Sequence, residues 1–144
     1  MAPEARIEPT EVDVWGARTF LERARELLVD GARAENSPAS RLILLHSAAM
    51  ASCDAVLSAN GRRVVGSDGG HLLRLQQAET LLRGDHRRLF ATLEDSRASR
   101  NTASYAAAFV PADDVESSRI AVAELVALVA VHVDAGSPDW TLGD

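Results

Sequence analysis

Residues 97–109 read RASRNTASYAAAF, and the first nine of them concentrate the polar side chains best suited to bind something. On a single helix Arg97 and Arg100 share a face, and Ser104 lies one turn beyond Arg100. Asn101 stands beside Arg100, and Tyr105 falls about 140° round the helix from it, toward the body of the protein or a partner. Guanidinium groups next to a hydroxyl suit a phosphate or a carboxylate, because the planar fork of arginine pairs with two oxygens at once. The same residues also allow a plainer arrangement, in which Arg97 pairs with Glu94 and Arg100 braces the bundle by bonding a carbonyl or an aspartate. Both readings stay open at this level.

Other chemistry is less well supported. Di-iron helical bundles use Glu-x-x-His pairs, and no glutamate stands three residues before His46, His71, His86 or His132. Asp68-x-x-His71 is the nearest approach and falls beside a glycine-rich loop, so no metal site is expected. Cys53 sits among alanines, where a lone cysteine acts as a small apolar residue, and His46, seven positions earlier, is too distant to activate it. The run GSDGGH lacks the lysine of a phosphate-binding loop and follows no expected strand. Arg41 to His46, RLILLH, lies within an apolar helix, and His46 there reads as a core or interface residue. No catalytic residue and no cofactor is expected from these patterns.

The elements that must position the arginine strip all read as helix. Val14, Ala17, Leu21, Ala24 and Leu28 form one apolar stripe after a start at Thr10 to Asp13. Ser37-Pro38 opens a second, alanine-rich helix that ends at Asn60-Gly61. Residues 61–70, GRRVVGSDGG, read as a flexible connection, after which Leu72, Leu75 and Leu82 resume helical spacing. A further long helix, or two joined near Ser96 to Ser99, follows Gly84 and is closed by Pro111. Residues 113–134 are rich in β-branched side chains, but the apolar run is too long for an ordinary strand and reads as a largely buried helix. The expected fold is all-α, an antiparallel bundle of about five helices at residues 10–134, with 1–9 and 135–144 as flexible termini and Trp140 pinning the tail.

Composition narrows the function. The chain has 144 residues and a formal charge of −6, and all 15 of its basic residues are arginine. Net negative charge disfavours non-specific nucleic-acid binding, so any phosphate site must be local. Cys53 is the sole cysteine, which leaves no disulfide within the chain. The start MAPEARIEPTEVD has no basic segment followed by an apolar run, and no uninterrupted apolar stretch is long enough to span a bilayer. A cytoplasmic protein without membrane contact is expected.

The helix order, the glycine loop followed by HLLRL, and Arg100-Asn101-x-Ala-x-Tyr105 together resemble HEPN domains, the nucleotide-binding helical domains of prokaryotes and higher eukaryotes. The resemblance covers roughly residues 15–133. It implies a homodimer that binds nucleotide, RNA or a protein partner through Arg97, Arg100, Asn101, Ser104 and Tyr105. Catalytic members of that family follow the arginine with a histidine four to six positions on, and two protomers join these pairs to cleave RNA. Here Tyr105 takes that place, and a phenol titrating near 10 is a poor proton carrier at neutral pH. The resemblance therefore implies a binding domain, with an RNA-cleaving toxin and a purely structural interaction module as alternatives.

Overall fold

The computed structural model describes the backbone of residues 3–105 and 110–136, and side chains up to residue 100 and from 110 to 135. Five helices follow one another: α1 (Val14–Ala32), α2 (Pro38–Ala59), α3 (Gly70–Leu81), α4 (Arg87–Tyr105) and α5 (Ala112–Gly136). Two short strands, β1 (Arg6–Pro9) and β2 (Arg62–Val65), join them. The all-α bundle is as expected. The segment at 87–105 is one helix, with no break near Ser96 to Ser99.

Local chemistry sets the helix starts. Asp13 accepts the Gly16 amide at 2.7 Å and so caps α1, and Ser37 does the same for α2 through the Ser40 amide at 3.2 Å. Pro38 occupies the first turn of α2, where its missing N–H costs nothing. A short link at residues 33–37 returns the chain, and α1 and α2 lie antiparallel: Asp13 bonds to Ser58 at one end, and Arg41 Nε donates to the Gly31 carbonyl at the other. Their approach is close because the facing residues are small. A methyl group on Gly31 would lie 2.8 Å from Leu45 Cγ.

Helix α2 is the centre of the bundle and packs on α1, α3, α4 and α5. Leu42, Leu45, Ala48, Cys53, Ala55, Val56 and Leu57 are all buried along it. Among the described residues it is the one helix long and apolar enough to cross a membrane, and that character serves the core here, since 67% of its apolar window is buried. In α5 the β-branched residues face the same core: Val115, Val122, Val126, Val129 and Val133 are buried, while Ile120 and Val131 are exposed.

Several expectations need correction. Residues 62–65 are not a flexible connection but a strand, paired antiparallel with β1 so that Ile7 faces Val64 and Arg6 faces Val65. Residues 6–9, expected in a flexible terminus, are that partner, and Glu8 bonds both Arg6 and Arg63 at 3.1 and 3.3 Å. The run GSDGGH therefore does follow a strand, though it still lacks a lysine. Gly66, at φ +82°, makes the turn out of β2 possible, since a side chain there would meet the Glu4 carbonyl at 2.5 Å. At the other end, α5 continues to Gly136, and residues 137–144 with Trp140 lie outside the described part.

Candidate phosphate-binding site

The arginine strip divides once it is folded. Arg97 is held by Glu94 through two hydrogen bonds of 2.9 and 2.6 Å, the plainer of its two sequence readings. Arg100, one turn further along α4, instead lines an open pocket of about 280 Å³. The side chains of Asn101, Ser104 and Tyr105 lie outside the described residues, although their backbone belongs to α4.

Across the pocket from α4 stand two histidines. His46 comes from the middle of α2 and is 5% exposed, and His71 comes from the first turn of α3. Their Nε2 and Nδ1 atoms are 3.0 Å apart, so one ring donates a proton to the other. Phe20 and Leu27 of α1 supply an apolar wall, Arg23 lies at the rim, and Asp54 closes the α2 side. Asp54 accepts from Arg74 Nε at 2.8 Å, which ties α3 to α2 next to His71.

The position of His46 follows from helix geometry. His46, Met50 and Asp54 recur every fourth residue and so form one stripe of α2, aimed at the pocket. His71 is held there by the turn at Gly69, whose left-handed backbone (φ +78°) starts α3. The sequence marks His46 as a core or interface residue, and at 5% exposure it is buried in keeping with that. The structure puts His46 on the inner wall of the pocket and brings His71 to it. The i, i+4, i+8 recurrence of His46, Met50 and Asp54 was the available signal; for His71 there was none, because its approach depends on how α3 packs.

Electrostatics set the state of the pair. Burial, then the nearby charges of His71, Arg100 and Arg97, bring His46 down to a pKa of about 4, with Glu94 opposing. His71 is also lowered, by burial first and then by Arg100, Arg74 and Arg97. At neutral pH the pocket therefore holds two uncharged imidazoles beside a guanidinium. Glu94 is engaged by Arg97 and Asp54 by Arg74, and Arg100 and Arg23 are the guanidinium groups that line the pocket itself.

Such a constellation can accept an anion. Arg100 can bond two of its oxygens, and an imidazole N–H can bond a third. An arriving negative charge would also raise both histidines toward neutral pH, turning the pair into a proton donor and a proton acceptor. Cys53, by contrast, is fully buried and its thiol is pushed far up by that burial, so it takes no part. Among the described residues no three of His, Cys, Asp and Glu gather as a metal site would require. The chain matches none of the protein-family models, none of the curated proteins and none of the solved structures against which it was compared.

Proposed function

We propose that the chain is a HEPN-like domain that binds the phosphate of a nucleotide or of RNA in the pocket formed by Arg100, His46 and His71. One observation carries this reading: Arg100 lines the same open pocket as two histidines that are hydrogen-bonded to each other at 3.0 Å. Its Arg100-Asn101 step is also the part of the sequence that resembles the family's motif. Binding draws on arginine geometry and local positive charge, which is how an acidic protein can hold phosphate at one place and repel nucleic acid elsewhere. The reading includes self-association, for which Ile120 is apolar surface left on α5.

The His46–His71 contact favours a second reading, metal-independent RNA cleavage. The chain lacks the family's histidine after Arg100, but two histidines from other helices reach the same pocket. A pair sharing one proton could take a proton from a ribose hydroxyl and return one to the leaving oxygen, once a bound phosphate has raised their pKa values.

One experiment addresses both. Calorimetric titration with a 5′-nucleotide and with a short single-stranded RNA, run beside light scattering for the mass of the complex, should give saturable binding to a dimer. Arg100→Ala and His71→Ala should each weaken it about tenfold, as expected for loss of a charge-assisted contact. The RNA recovered afterwards is either intact, which leaves binding alone, or cut in a His71-dependent way. If neither ligand binds, and Arg100→Ala lowers only the melting temperature, Arg100 is a structural brace and the proposal fails.

A further inference from the structure

A second cavity, of about 590 Å³, opens at the far end of α2, between the C-terminal parts of α2, α3 and α5. Leu82, Leu128 and Val131 supply apolar walls, and Asn60, His86, His132 and Arg83 stand among them. It shares no residue with the pocket of His46 and Arg100. Its volume lies within the range typical of small-molecule sites, which combine apolar walls with a few fixed polar groups.

The hydrogen bonds fix what those polar groups offer. Asn60 Nδ2 lies 2.7 Å from the Val56 carbonyl, which only accepts, so the amide orientation is set and the NH₂ group is identified. The same NH₂ lies 2.8 Å from His132 Nε2, which must then accept, and the proton of the neutral ring belongs on Nδ1. Burial and the charge of Arg83 both lower His132, in keeping with an uncharged ring. His86 Nε2 lies 2.6 Å from the Arg83 carbonyl, so that nitrogen donates. The polar groups that line the cavity are thus an uncharged His132 tied to Asn60, and His86 tied to the Arg83 carbonyl.

Charge decides the ligand class. Arg83 contributes one positive charge and the N-terminal end of α4, next to His86, roughly half of one, while the C-terminal ends of α2, α3 and α5 each present roughly half a negative charge to the same region. These offset one another, so neither a carboxylate nor an ammonium group is favoured. We infer that this cavity is a binding site for a small uncharged aromatic heterocycle, whose faces lie on Leu82, Leu128 and Val131 and whose edge exchanges hydrogen bonds with His132, His86 and Asn60. This inference is independent of the phosphate site.

Indazole is a suitable probe, being flat, uncharged at neutral pH and equipped with adjacent donor and acceptor nitrogens. Titrated into the full chain and followed by NMR of the histidine rings, it should shift His86 and His132 saturably and leave His46 and His71 unmoved. Indene, its hydrocarbon counterpart, should bind about tenfold more weakly. Val131→Trp, a change at an exposed position that crowds the cavity without touching the core, should remove indazole binding, and His132→Phe should weaken it about tenfold. The inference is overturned if indazole produces no saturable shift, if indene binds equally well, if benzoate binds better than indazole, or if Val131→Trp binds as the wild type does.

Discussion

His46 carries a consequence that can be read in solution. Its imidazole is buried uncharged with a pKa of about 4, whereas in the unfolded chain it titrates near 6.5. Between those values the unfolded state binds more protons than the folded state, so stability falls as pH drops from about 6.5 to about 4 and is unaffected by this group above that window. The difference corresponds to roughly 3 kcal/mol at the acid end. Urea titrations from pH 7 to pH 4 should show this slope in the wild type, and a shallower one in His46→Gln, where no proton is taken up; equal slopes would mean that His46 is not buried uncharged. At this scale the sequence was partly legible. Glu94 three residues before Arg97 left two readings open, ligand binding and an ion pair, and the structure contains the ion pair. Cys53 among alanines was enough to anticipate a buried thiol. The His46–His71 contact was not legible, because it joins residues 25 apart in sequence across two helices whose relative placement no local pattern encodes.

Among the elements, the close pairing of α1 with α2 governs how the pocket is built, since Phe20 and Leu27 line it from one helix and His46 and Asp54 from the other. That pairing depends on Gly31, where an added Cβ would lie 2.8 Å from Leu45 Cγ and 3.3 Å from the Leu45 backbone nitrogen. Gly31→Ala should therefore destabilise the fold by about 2 kcal/mol despite its better helix propensity, because overpacking against the Leu45 side chain outweighs a gain of at most about 1 kcal/mol. Thermal unfolding measures this directly, and an unchanged or raised melting temperature would show that the helices can separate without cost. Helix identities and caps were legible here, since Asp13, Ser37-Pro38 and the apolar stripe of α1 act within a few residues of themselves. The strand pair was not. Residues 62–65 are too few to display a period of two, and their partner lies some 55 positions earlier, so only pairing in three dimensions reveals that Val64 and Val65 form a strand.

The whole molecule has a core centred on α2 and carries two openings of different character. One gathers Arg100, Arg23 and two histidines on the side of α1, α3 and α4; the other mixes apolar walls with neutral hydrogen-bonding groups at the C-terminal end of α2. Net charge was enough to expect that any phosphate site must be confined to one place, and of the two arginines in the strip Arg97 pairs with Glu94 while Arg100 lines the pocket. The sequence did not reveal that His46 of α2 and His71 of α3 meet beside Arg100 of α4. The central claim is that a phosphate binds between Arg100 and this pair, and the pKa of His71 reports on it. In the free protein His71 lies below its ordinary value, held there by burial and by the arginines. Titrating the His71 ring by NMR with and without a saturating 5′-nucleotide should show that pKa rise toward neutrality in the wild type and stay where it was in Arg100→Ala; a His71 pKa that the nucleotide leaves unchanged in the wild type would contradict the account.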